Sequence, residues 1–316
     1  MSNITFQGRV AIITGAGNGL GRTYALDLAR RGAAVVVNDI GKESADQVVA
    51  EIKAAGGKAV ANYDSVATRT GADANVATAM DNFKRVDIVI NNAGNQANAR
   101  FEDMSDGEFE SVLAVHLKGA FALSQTAYKV MMKQAYGRFL FTSSASGIFG
   151  HFIRTNYASA KAGLMGLMHA VYLEGARYNI TSNALLPVAS SANTKLGKVP
   201  PNVIWPDWDA RMPEKQSEMA HLAGFMSPDH VTGMATYLVS EDCKSSGGMY
   251  SAAGGRFSRV FIGAAPGWLT PTNAPAAAED IRAHFAEIEN REGYEVYPSL
   301  TDEMLSVCRR RKAAKG

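Results

Sequence analysis

Val10-Ala-Ile-Ile13 runs straight into Thr14-Gly-Ala-Gly-Asn-Gly-Leu-Gly21. An unbroken apolar run bounded by a turn reads as a strand buried on both faces, the kind a parallel sheet requires. Beyond the glycines, Leu20, Tyr24 and Leu28 recur at helical spacing, with Arg22, Arg30 and Arg31 on the other side. A strand, a glycine-rich turn and a helix make the first half of a dinucleotide-binding unit. The glycines let the backbone approach a pyrophosphate, which rests on the helix N-terminus. Gly15, Gly17, Asn18, Gly19 and Leu20 are therefore candidate cofactor residues. The spacing departs from plain G-x-G-x-x-G, and a glycine-rich connection with no ligand is the alternative.

Ala33 to Val37 reads as a second strand, ending at Asn38-Asp39. A carboxylate there can accept hydrogen bonds from the diol of an adenosine ribose, and it would repel the 2′-phosphate of NADP. Asp39 thus points to NAD, unless it is only a solvated strand end. A helix is expected from Ser44 to about Ala55, and a third strand over Lys58–Ala61 leads to Asp64 and Ser65. Asp64 is placed for an adenine amino group or for a helix cap. Val86–Ile90 is the fourth strand, and Asn91-Asn-Ala-Gly94 ends it. Asn91, Ala93 and Gly94 suit close packing beside a cofactor. A long helix should carry Phe109, Val112, Leu113, His116, Ala120, Leu123 and Ala127 on one face. Arg138–Thr142 and Ile180–Leu186 are further strands, the latter stopped by Pro187.

Between them lies Ser144 to Lys161. Tyr157 and Lys161 are one helical turn apart. A phenol with a pKa of about 10 is a poor base at neutral pH, but a nearby ammonium favours the phenolate. The pair could then exchange a proton with an alcohol or ketone. Ser144, thirteen residues before Tyr157, can sit on a strand end and hold the same oxygen. Alone, Tyr-x-x-x-Lys is a weak signal, since any surface helix can carry it.

The remaining chain narrows the class. The 316 residues are 47% hydrophobic and 20% charged, with a net charge of +2, which makes no case for nucleic acid. Cys243 and Cys308 fit no disulfide framework, and the six histidines form no metal-ligand spacing, so no metal is expected. Neither a signal peptide nor a run long enough to span a membrane is seen. Proline and tryptophan (Pro200, Pro201, Pro206, Pro213, Trp205, Trp208) mark 189–226 as a substrate lid. A helix from Asp229 to about Ser240 and a strand at Met249–Ala253 follow. After Gly267 comes an extension with one helix, Ala277–Arg291, and a basic end, Arg309-Arg-Arg-Lys312, read as a solvated tail.

Taken together, Thr14-Gly-x-x-x-Gly19-x-Gly21, Asn91-Asn-Ala-Gly94, Ser144 and Tyr157-x-x-x-Lys161 resemble the short-chain dehydrogenase/reductase family in order and spacing over about 250 residues. The resemblance implies an α/β fold: one doubly wound, Rossmann-like parallel sheet with helices on both faces, here residues 1–267 with residues 268–316 as a C-terminal extension. It implies Tyr157 as acid/base, Lys161 as the group that lowers its pKa and holds the nicotinamide ribose, and Ser144 as the holder of the substrate oxygen. Pro187 would lie beside the nicotinamide, although this chain reads Leu-Pro-Val-Ala where the family often has Pro-Gly.

Val36-Val-Asn-Asp39, Gly56 to Val66, Val115-His-Leu117 and Thr142-Ser-Ser-Ala-Ser-Gly147 are similar to the (3R)-hydroxyacyl-CoA dehydrogenase part of peroxisomal multifunctional enzymes of type 2, also called 17β-hydroxysteroid dehydrogenase type 4. The wider family usually has Asn where this chain has His116. His116 is either a relay member or a satisfied core histidine. The resemblance implies NAD-dependent oxidation of a lipid-like alcohol, foremost a 3-hydroxyacyl-CoA, steroid-derived acyl chains included. The alternatives are reduction of a 3-oxoacyl or keto-steroid substrate and a catalytically silent cofactor-binding module. Phe149 and Phe152 are candidate substrate contacts, or core. A cytoplasmic homo-oligomer, a dimer through the Phe109 and Tyr157 helices, is expected.

Overall fold

Val10–Ile13 extends by one residue into β1 (Val10–Thr14), and every side chain in it is buried. The apolar run at Ala33–Val37 likewise becomes β2 (Ala34–Asn38), buried throughout. The computed structural model describes residues 3–190, 220–271 and 274–313. The lid tryptophans and prolines thus lie outside the described residues. The chain divides into two compact units, 1–259 and 260–316.

In the first unit, β3 (Lys58–Asn62), β4 (Ile88–Asn91), β5 (Gly137–Thr142), β6 (Ile180–Val188), β7 (Met249–Ala253) and β8 (Arg256–Val260) complete a sheet of order β3-β2-β1-β4-β5-β6-β7-β8. Strands β1 to β7 pair in parallel. The chain winds outward from β1 to β3, then crosses back to β4 and winds the other way. Such a sheet opens a crevice beyond the carboxyl ends of β1 and β4, where ligands of this architecture bind. At the opposite end, the fully buried carboxylate of Asp87 ties strands together. It accepts from Val10 N (2.9 Å), Arg9 (3.0 Å) and Arg85 (2.7 Å).

The helices are α1 (Gly19–Arg30), α2 (Lys42–Ala54), α3 (Arg69–Phe83), α4 (Asp106–Leu113), α5 (Gly119–Gln134), α6 (Thr155–Gly175) and α7 (Asp229–Leu238). Helix α3 is absent from the sequence reading. Its buried apolar residues, Ala72, Val76 and Ala79, lie at helical spacing, but two of the three are alanines, and Gly71 and Asn75 are buried with them, so the stripe is weak. The long helix expected around His116 is instead α4 and α5 joined by a π turn, Ala114–Lys118. Such widened turns admit an extra residue and are frequent at functional sites.

Strand β6 does not stop at Pro187 but runs to Val188. Leu185 O accepts from Ser143 N on the β5 side, so residue 187, two further on, faces the same way. The last β5 residue, Thr142, already pairs with Leu185. The proline therefore lacks its N–H on the side where no strand remains, while its other neighbour, β7, pairs through Ala252.

In the second unit, Ala264 and Glu295 form an antiparallel bridge. The helix expected over Ala277–Arg291 is two shorter ones, α8 (Ala278–Ala283) and α9 (Phe285–Glu289), broken at His284. The His284 ring stacks on Trp268 at 4.1 Å between centroids, which fixes the break. Arg309–Lys312 is no solvated tail but the last turn of α10 (Leu300–Ala313). Arg310 donates to the carbonyls of Pro266 and Gly267, and Arg311 to Thr270 O and Oγ1.

Candidate active site

The turn after β1 shows why it is built from glycine. Gly15 has φ of 61°, and a Cβ there would come within 2.9 Å of Ala93 Cα. A Cβ on Gly17 would meet Ser44 Oγ at 2.4 Å, and one on Gly21 would meet Gly15 O at 2.3 Å. Thr14 closes the turn from below: its hydroxyl accepts from Asn92 N and Ala93 N, each at 3.0 Å. Asn92 Nδ2 donates to Thr14 O (2.9 Å) and Gly15 O (3.2 Å). The sequence reading missed Thr14 and Asn92 as builders of the turn; the Asn-Asn pair was the available signal.

Asn18 is the N-cap of α1, yet its side chain caps nothing, and no acidic residue stands in the first turn. No side chain of α1 itself therefore occupies its leading N–H groups, the positive end of the helix dipole. Asp39 points back at this turn. It accepts from Gly17 N (3.0 Å) through one oxygen and from Gly41 N (2.9 Å) through the other. Asp64 accepts from Asn62 Nδ2 at 2.9 Å. It caps no helix, because Thr68 caps α3. Ser65 lies beside it, its hydroxyl accepting from Ala67 N. These residues fit a dinucleotide: Gly15, Gly17, Asn18, Gly19 and Leu20 would cradle the pyrophosphate, and Asp39 and Asp64 would flank the adenosine end.

The buried amide of Asn91 donates to Ser124 Oγ at 2.9 Å, bracing β4 on α5. Gly94 is needed for the space it leaves. A Cβ there would strike the His116 ring at 2.3 Å.

Beyond β5, Ser143 and Ser144 divide two tasks. Ser143 Oγ donates to Lys161 O at 2.7 Å, fixing α6 to the strand end. Ser144 stands beside the Tyr157 phenol. The Lys161 Nζ lies 5.3 Å from the centre of the Tyr157 ring and donates to Thr142 O at 2.5 Å. The His116 ring meets Tyr157 edge to face, also at 5.3 Å. Ser144, Tyr157, Lys161 and His116 therefore come together at the carboxyl end of the sheet. Phe149 does not pack into the core; it is 76% exposed. Phe152 is half-buried and stacks on His151.

The electrostatics differ from the simple expectation for a tyrosine beside a lysine. Burial pushes the Tyr157 phenol upward, while the Ser144 hydroxyl and the charge of Arg154 pull it down. Burial alone lowers Lys161 to about 7. An amine poised there is no permanent cation at neutral pH, but it is well matched to passing a proton. Burial, then the charge of Lys161, lowers His116 to about 3, against the backbone of Asn95, which raises it. The neutral ring keeps Nε2 on the Asn95 backbone, and its buried Nδ1 has no partner among the described residues.

Residues 9–198 match the family described as short chain dehydrogenase. A short-chain type dehydrogenase/reductase of Mycobacterium tuberculosis is 40% identical over 92% of this chain and 97% of its own length. The chain belongs to the short-chain dehydrogenase/reductase family. Mouse peroxisomal multifunctional enzyme type 2 is 38% identical over 91% of this chain, but this chain spans only 37% of that protein. A hydroxyacyl-CoA dehydrogenase of M. tuberculosis is 37% identical over 74% of this chain. Among solved structures, full-length Drosophila melanogaster peroxisomal multifunctional enzyme type 2 superposes with a TM-score of 0.79 at 31% identity, covering 98% of this chain and 50% of that one. As a family member the chain is an oxidoreductase. Among the described residues no helix is long and apolar enough to cross a membrane.

Proposed function

We propose that this dehydrogenase oxidises the 3-hydroxyl of a 3-hydroxyacyl-CoA to a ketone, with NAD as the oxidant. The observation that carries this reading is the gathering of Ser144, Tyr157 and Lys161 at the sheet's carboxyl end, facing a glycine turn backed by Asp39. When bound, the nicotinamide supplies the acceptor for the hydride leaving the alcohol carbon. The chain's own residues manage the oxygen and its proton. Ser144 holds the substrate hydroxyl. Tyr157 takes its proton as the C=O bond forms, and Lys161, titrating near 7, passes that proton onward. His116 stays neutral and holds the Tyr157 ring from its edge.

Asp39 supports NAD over NADP, and therefore oxidation over biosynthetic reduction. The names of the hydroxyacyl-CoA dehydrogenase and multifunctional-enzyme relatives support the acyl-CoA class. Phe149 at the surface beside Ser144 fits an apolar chain lying along that lip. Exposed Phe121 on α5 and Leu173 on α6 fit a homodimer through those helices. Two free cysteines, Cys243 and Cys308, fit the reducing cytoplasm.

The test is turnover of 3-hydroxyacyl-CoA substrates of graded chain length with NAD, alongside Tyr157→Phe. The variant should lose roughly 10²–10⁴-fold in kcat while still binding NAD, because ring and packing survive and only the proton carrier goes. Near-normal turnover by Tyr157→Phe would refute the assignment.

A further inference from the structure

Arg154 stands one residue before α6 and three before Tyr157. Its guanidinium carbon lies 6.0 Å from the centre of the Tyr157 ring. Its Nε is buried and makes no hydrogen bond, and the side chain has no ion pair among the described residues. Arg9, Arg22, Arg30, Arg31 and Arg85 of this unit each reach a carboxylate. Arg100 and Arg138 also have an orphaned Nε, but Glu102 stands 3.9 Å from the Arg100 guanidinium, and Arg138 donates through Nη1 to the carbonyls of Gly137 and Asn179.

The backbone around Arg154 is held in place. Ile153 adopts φ of 56°, a left-handed conformation that is an outlier for a β-branched side chain. Ile153 O accepts from Ala99 N at 3.1 Å. Asn156 Nδ2, two residues beyond Arg154, donates to Ala97 O (2.8 Å) and Glu108 O (3.1 Å). Strained backbone of this kind persists only where the surroundings over-determine it, and it collects at ligand clamps. Residue 154 is thus anchored on both sides. Buried donors are almost always paired, and among the described residues the Arg154 Nε has no acceptor, which leaves it available to a ligand.

Guanidinium is a planar array of donors, permanently charged, and it takes oxygen acceptors. The substrate hydroxyl is claimed by Tyr157 and Ser144. In a 3-hydroxyacyl thioester a second acceptor, the thioester carbonyl, sits only two carbons from the reacting carbon. We infer that Arg154 recognises this carbonyl, so that the site reads a 1,3 pair of oxygens rather than a lone alcohol. The inference rests on the acyl-CoA reading proposed above.

The experiment compares two substrates in wild type, Arg154→Lys, Arg154→Gln and Arg154→Met. One is 3-hydroxyoctanoyl-CoA. The other is its thioether analogue, with CH2 in place of the carbonyl, which keeps the hydroxyl and the whole CoA moiety. The measured quantity is kcat/KM, or Ki where the thioether is not turned over. Arg154→Met and Arg154→Gln should lose roughly ten- to a hundredfold on the thioester, the range of a charged hydrogen bond. Loss of the charge near Tyr157 falls on both substrates alike, so the thioether should lose less than the thioester by that ten- to hundredfold factor, with Arg154→Lys in between on the thioester. Equal losses on both substrates, with the pH profile moved upward, would mean that Arg154 acts only through the charge it places near Tyr157, and would overturn the inference. No loss on either would overturn it too. NAD binding and melting temperature report folding, and if Arg154→Met misfolds, the more conservative Arg154→Gln decides. A wild-type enzyme inactive on the thioester but active on other alcohols would instead sink the acyl-CoA reading, and this assignment with it.

Discussion

Lys161→Met keeps most of the side chain's length and volume and removes its charge. The residue is 3% exposed, and burial brings its pKa from 10.5 to about 7. At about 1.4 kcal/mol per pH unit, that displacement is worth about 5 kcal/mol against the folded state. Below pH 7 the lysine is protonated in folded and unfolded chains alike, and the whole penalty applies. Between 7 and 10.5 the unfolded chain keeps a proton that the folded chain has released, so stability climbs with pH by about 1.4 kcal/mol per unit. Above 10.5 the penalty is gone. Methionine has no such dependence, but it leaves Thr142 O without its donor, which costs about 1–3 kcal/mol. The variant should therefore be inactive, yet more stable than wild type by about 2–4 kcal/mol at pH 6.5. That advantage should vanish near pH 9.5. Urea denaturation of both proteins at pH 6.5, 8 and 9.5, followed by circular dichroism, measures it. A variant less stable at pH 6.5, or a difference flat in pH, would refute the reasoning.

Two other substitutions probe the cofactor side. Asp39→Ala removes the acceptor for a ribose diol together with the hydrogen bonds to Gly17 N and Gly41 N. It should cut kcat/KM with NAD by roughly ten- to a hundredfold and narrow a wild-type preference over NADP of at least about tenfold; a wild type that uses both equally would show that Asp39 serves only the loop. Gly94→Ala drives a methyl into the His116 ring, which is held by Asn95 and Tyr157. Overpacking of this kind costs about 1–3 kcal/mol, so the melting temperature should fall together with kcat, and an unchanged kcat would mean that the ring's contact with Tyr157 is idle.

The parallel strands were legible because burial on both faces leaves unbroken apolar runs such as Val10–Ile13 and Val35–Val37. The places of the glycine turn, of Asp39 beside it, and of Ser144, Tyr157 and Lys161 together were legible because the proposed chemistry demands particular residue types at a fixed spacing. Helix α3 was not, since a stripe made mostly of alanines, with Gly71 and Asn75 buried among them, is faint. Nor was the bond from Asn91 to Ser124, which joins residues far apart in sequence. His284 shows the limit of periodicity, as Ile281, Phe285 and Ile288 kept helical spacing across a break made by stacking on Trp268. Arg154 carries no local pattern at all; its unpaired Nε and its closeness to the Tyr157 ring are visible only in three dimensions.

Pro187 gives the crevice wall a chemical polarity. At the point where β5 has ended and β6 continues, any other residue would offer both an N–H and a carbonyl to the space beyond Thr142. Proline offers the carbonyl alone. At residue 187 itself the strand can accept a hydrogen bond and cannot donate one. The same ring fixes φ, so this stretch of backbone is stiffer than its neighbours. The strand end is a one-way contact at this residue.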